Sequence, residues 1–178
     1  MRCTALTLAC ALLLILGGCG GAKEGGGPAK HAFVHGADRI CLSHAESVIT
    51  WLNQPQRGAS WQQQATQDEG LYQIIDHSIK RLQALGPAPG PNDGAFAGYL
   101  GTMKARASLY KLTSVAFLNR DTLFALRLEN RIKSVDAQGD GYAHDYGLRI
   151  CGTGLRDLAK AFDAAGWTPP QNGRGPGG

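Results

Sequence analysis

The sequence predicts an all-α fold: an up-down-up-down four-helix bundle with a short additional C-terminal helix, stapled by a disulfide. Three observations point there. Apolar residues in the middle of the chain recur every three to four positions and never alternate strictly over four or more, which is helical patterning. Gly, Pro and Asn/Asp punctuation divides that pattern into long runs with short connections, and short connections make neighbouring helices antiparallel. Of the 25 Gly in 178 residues, eight fall in 17–36 and five in 166–178, so the middle reads as the domain.

The first helix is expected over Ala37–Leu52, where Cys41, Ala45, Val48, Ile49 and Leu52 share one face and Pro55 and Gly58 mark the exit. The second runs from about Ser60 to Leu85. Ser60 and Gln63 have capping-box spacing, Trp61, Ala65, Tyr72, Ile75, Ile79 and Leu82 carry the stripe, and Gly86-Pro87 ends it. Gly70 weakens its middle, which leaves Thr66 as an alternative start and makes Asp68-Glu69 a complement to the helix dipole. The third helix spans Asn92–Leu118, with Phe96, Leu100, Met103, Ala107, Tyr110 and Ser114 inward. Gly98 and Gly101 there allow a close neighbour.

Asn119-Arg120-Asp121 reads as a tight corner, and the fourth helix starts near Asp121. Phe124, Leu128, Ile132 and Val135 form its face, the helix continues through Tyr142 and Tyr146, and Gly147 is its stop. Gln138-Gly139-Asp140-Gly141 is a place where it could kink. A fifth helix over Gly154–Ala165 carries Leu155, Leu158, Ala159 and Phe162 on one side.

The N-terminus has a different purpose. Arg2 and the amine precede the apolar run Thr4–Leu16, which as a helix of about 20 Å is too short to cross a bilayer core of about 30 Å. A signal peptide fits. Leu16-Gly17-Gly18-Cys19 resembles the lipobox of bacterial lipoproteins, and the resemblance implies cleavage between Gly18 and Cys19 and acylation of the Cys19 thiol, for example with palmitate. The expected organisation is a lipoprotein signal peptide (1–18), a Gly-rich tether (19–36), the bundle (37–166) and a tail (167–178) with nothing to bury. The expected location is the extracytoplasmic face of the cell membrane, held there by the lipid.

The five cysteines then divide. Cys3 and Cys10 leave with the signal peptide and Cys19 carries lipid, so Cys41 and Cys151 remain as a pair in an oxidising compartment, read as a disulfide with two free thiols as the rival. The topology supplies a test, because it sets Cys41, in the first helix, at the same end of the bundle as Cys151, just past the fourth. Cys41, Asn119-Arg120-Asp121 and Tyr146-Gly147-Leu148-Arg149-Ile150-Cys151-Gly152 together resemble a group of uncharacterised exported bacterial proteins, many of them lipoproteins. That resemblance implies a disulfide-bearing helical bundle and brings no activity with it.

Chemical motifs are sparse. Asp136, Asp140 and Gly141 match an EF-hand loop in part, but Gly147 stands where the bidentate Glu belongs, so no metal site is assigned. His31 and His35 lie in the expected tether without a carboxylate partner, and His44, His77 and His144 fall on separate helices. No Glu-x-x-His, CxxCH, GxSxG, SxxK or phosphate loop occurs, so no cofactor and no catalytic residue is named. Ser43 and His44 point about 100° apart on a helix and form no dyad unaided. Residues 37–165 hold 14 Lys/Arg and 13 Asp/Glu, a balance that gives nucleic acid no purchase. Arg127 and Arg131 form at most a modest basic stripe. The expected role is a non-enzymatic binding or envelope-associated module; the alternative is a carrier or sensor holding a hydrophobic ligand beside Phe96, Tyr99, Tyr110 and Phe124. A solvent-open void above about 300 Å³ would favour the second.

Overall fold

The computed structural model describes residues 27–53 and 60–152. Four helices account for nearly all of them: α1 (Pro28–Leu52), α2 (Trp61–Gln83), α3 (Asp93–Leu118) and α4 (Thr122–Tyr146), with no strand among the described residues. α1 packs on α2, α2 on α3 and α3 on α4. Each pair is antiparallel: the start of α1 meets the end of α2 where Gly36 touches Leu85, and Arg106 of α3 meets Asp136 of α4. The signal peptide, Cys19, the fifth helix over Gly154–Ala165 and the tail lie outside the described residues.

The main departure from the sequence reading is α1, which begins nine residues before Ala37 and takes in half of the expected tether. Pro28 suits a first helical position, where its missing N–H costs nothing. The helix continues through Gly36 because its early residues have something to bury. Phe33 is 8% exposed, its ring edge-on to Phe96 at 4.9 Å and to Tyr146 at 5.8 Å. Burial of a phenylalanine contributes roughly 1.5–3 kcal/mol, more than the ~1 kcal/mol cost of one helical Gly.

The other boundaries follow local chemistry. Ser60 and Gln63 exchange both capping-box bonds, at 3.2 and 3.0 Å. At the α3–α4 corner, the Arg120 N–H donates to Phe117 O and the Asp121 N–H to Ala116 O, the paired bonds of a Schellman turn. Arg120 occupies the left-handed position with φ 58°. Asp121 then caps α4 by accepting from the Phe124 N–H at 3.0 Å. Gly147 ends α4 with φ 94°, and the run through Gln138-Gly139-Asp140-Gly141 stays helical without a break. Gly139 is buried there, where a Cβ would meet Thr102 Oγ1 at 2.9 Å. Phe124, expected inward, is 42% exposed, and Ala125 takes its place in the core beside Leu128 and Ile132, which are buried as expected.

Two apolar cores result. One, at the α1 N-terminal end, gathers Phe33, Phe96, Tyr99 and Tyr146 with Ile79 and Leu82. The other, near the α3–α4 corner, gathers Leu109, Phe117, Ala125 and Leu128. After Gly147 the chain turns back along α1, where the Asp38 carboxylate accepts the Arg149 N–H at 3.0 Å and the Ile150 N–H at 2.9 Å. Cys151 follows and forms the disulfide with Cys41, their Cα atoms 5.2 Å apart across 110 residues of sequence. On the chain-entropy model a ring of this size contributes about 4.7 kcal/mol of stability.

Candidate cavity between the helices

Between the two cores the four helices leave a solvent-open cavity of about 530 Å³. The Cys41–Cys151 disulfide, Ile150 and Gly152 form part of its wall, so the segment pinned by Asp38 is structural support for the site. Val48, Leu71, Ile75 and Met103 supply apolar surface; His44, Tyr99, Arg106, Asp136 and Asp140 supply polar groups.

Three of these polar groups, His44, Arg106 and Asp136, join Ser78 in one chain of hydrogen bonds. Ser78 Oγ donates to Ile74 O at 2.9 Å, which leaves its lone pairs for the His44 Nδ1–H at 3.0 Å. Arg106 has only donors, so its Nη2 at 3.0 Å from His44 Nε2 requires an unprotonated nitrogen. The two contacts fix His44 as the neutral, Nδ1-protonated tautomer. Burial, reinforced by the Arg106 charge, pulls its pKa down to about 3. Arg106 Nη1 donates to Asp136 Oδ1 at 3.2 Å, while its Nε–H is buried without a partner.

Asp140 lies one helical turn beyond Asp136 on the same wall. Among the described residues it makes no hydrogen bond or ion pair, and burial together with the Asp136 charge pushes its pKa up. Tyr99, buried with its hydroxyl 3.5 Å from Cys41 Sγ, is driven up to about 12 by desolvation. Tyr110 lines the cavity half-buried.

A second carboxylate stands apart from this site. Because α2 starts at Trp61, Asp68 is two turns inside the helix and does not serve the dipole as the sequence suggested. It faces a smaller recess with Glu129, its Oδ2 buried and unpartnered. Burial first and the Glu129 charge second raise its pKa to about 7.

Of the residues singled out by sequence, Cys41 and Cys151 come together as expected, and Tyr99 and Tyr110 reach the cavity. Phe96 belongs to the aromatic core, and Phe124 faces outward. His31 and His35 are exposed on α1, inside a helix and not in a tether. His144 is exposed beside Asp145 at 3.8 Å, and the EF-hand-like Asp136 is engaged by Arg106 on a helix. No group of three or more metal-ligating side chains occurs among the described residues. Ser43 accepts from Arg81 and His44 pairs with Ser78, so the two neighbours do separate work. Gly18 and Cys19 lie outside the described residues. Sequence reasoning missed Arg106, Asp136 and Asp140 as a set. A polar Arg beside the inward Met103 and Ala107 was the available signal.

Compared with protein-family models, curated proteins and solved structures, the chain matches none of them. No helix among the described residues is long and apolar enough to cross a membrane.

Proposed function

We propose that this protein is a lipid-anchored binding module on the extracytoplasmic side of a bacterial envelope, holding a small ligand between its helices. The observation that carries the reading is the cavity. At about 530 Å³ it exceeds the void a merely imperfect core leaves and falls within the size range of ligand sites. His44, Arg106 and Asp136 are held by one another and by Ser78, so that part of the wall is organised before any ligand arrives. The anchor rests on Leu16-Gly17-Gly18-Cys19. With α1 starting at Pro28, the nine residues from Cys19 to Gly27 can span at most about 32 Å, which keeps the cavity close to the membrane surface.

Mass spectrometry of small molecules co-purifying with the detergent-extracted native protein tests the ligand. Specific enrichment of one small molecule supports the reading, and the absence of any enriched small molecule from every preparation overturns it. For the anchor, Cys19→Ala should release the protein from membranes; a mature variant that stays bound refutes lipid attachment at that residue.

One observation favours a second reading, a protein partner. Leu118, Leu123 and Leu126 at the α3–α4 corner are 51%, 71% and 50% exposed, a concentration of apolar surface uncommon on a solitary domain.

A further inference from the structure

The cavity's charges can be paired off one by one. Arg106 is held between Asp136 and His44, with its charge engaged by the Asp136 carboxylate, and its Nε–H is buried without a partner. His44, accepting from Arg106, is neutral and contributes no charge. Lys133 reaches the opening but is exposed to solvent, and it lies two helical turns from Asp140, about 10.5 Å along α4. That separation is too great for a direct pair. One charge is therefore left over inside: the half-buried carboxylate of Asp140.

Resting on the ligand-binding reading above, we propose that the cavity takes an amphipathic cation, an organic ammonium whose charge sits on Asp140 and whose apolar body lies against Ile75, Met103, Val48 and Leu71. The aromatic walls agree with this. Tyr99 and Tyr110 line the cavity, and aromatic rings attract cations through their faces. A carboxylate ligand would meet the Asp136–Asp140 side of the wall with no unengaged cation buried beside it. A neutral ligand would leave Asp140 half-desolvated and unpaired, the situation that already raises its pKa by burial and by Asp136, partly offset by Arg106.

Three water-soluble probes of matched shape separate the possibilities: 2-phenylethylammonium, phenylacetate and 2-phenylethanol, titrated calorimetrically into the full chain in nanodiscs at constant ionic strength, against empty nanodiscs. The ammonium should bind tightest. Asp140→Asn, an isosteric change on a half-exposed helix position, should weaken the ammonium roughly tenfold and leave the alcohol unchanged, the scale of one charge-assisted hydrogen bond. If phenylacetate or phenylethanol binds as well as the ammonium, or if Asp140→Asn leaves ammonium binding intact, the cation assignment fails while the cavity reading stands. If none of the three binds, both fail.

Discussion

Between about pH 4 and 6.5, two groups in this bundle drive its stability in opposite directions, and removing either one exposes the other. His44 titrates near 6.5 when the chain is unfolded and is held to about 3 by burial and Arg106 when folded. In that window the unfolded chain binds a proton that the folded chain does not, so stability rises with pH by about 1.4 kcal/mol per unit. Asp68 works the other way. Its ordinary value of 3.8 becomes about 7 through burial and the nearby Glu129, so the folded chain holds the extra proton and stability falls with pH.

The two slopes oppose each other in the wild type. His44→Gln, which removes the titration and keeps an amide in its place, should tilt the stability profile downward with rising pH relative to wild type. Asp68→Asn should tilt it upward. Across the shared window of about 2.5 pH units, the His44 difference accumulates to roughly 3 kcal/mol, and the Asp68 difference, on a carboxyl group partly screened by solvent, to a fraction of that. Urea unfolding followed by far-ultraviolet circular dichroism at half-unit intervals, with the disulfide intact, measures both curves. Groups elsewhere cancel in the differences. Variant profiles that run parallel to the wild type would refute the assignment of His44 as buried and neutral and of Asp68 as a strained carboxylate.

Three further predictions concern the frame. Asp38→Ala should cost about 2–4 kcal/mol in urea unfolding, because two charge-assisted bonds to the Arg149 and Ile150 amides are lost, while Asp38→Asn should cost less. Gly70→Ala would place a Cβ inside the Trp51 indole, which donates to Gln67 O at 2.9 Å; a red shift of tryptophan emission and a loss of about 1–3 kcal/mol should follow. Arg120→Gly should raise stability by about 0.5–1 kcal/mol, seen as a higher unfolding midpoint, since Arg120 sits at φ 58° where glycine is unstrained.

The helices were legible wherever caps and apolar rhythm agreed. Ser60 with Gln63, Asp121 and Gly147 each mark a boundary by a bond that their own side chain or backbone makes locally. The Cys41–Cys151 pairing was legible from the cysteine count. Bundle topology had set Cys41 in the first turns of its helix, whereas it lies mid-way along α1 and is reached because the chain after Gly147 runs back beside that helix. What composition hid was Pro28–Gly36, where glycine content suggested a tether and Phe33 found an aromatic pocket built by α3 and α4. Gly70 misled in a similar way. It looks like a weak point of α2 and is the seat for an indole from α1. The cavity was the least legible part, since His44, Arg106 and Asp140 sit on three helices with no fixed spacing. Long-range partners of this kind leave no periodic trace.

The grip of Asp38 on the chain after α4 also bears on how that end of the bundle is secured. Two amides held by one carboxylate fasten the residues just before Cys151 to α1, beside Cys41, at a Cα distance that suits a bridge. Hydrogen bonds and the disulfide thus secure the same stretch of chain by two separate means. An aspartate, and not the S–S bond alone, therefore holds the end of the bundle's chain against α1.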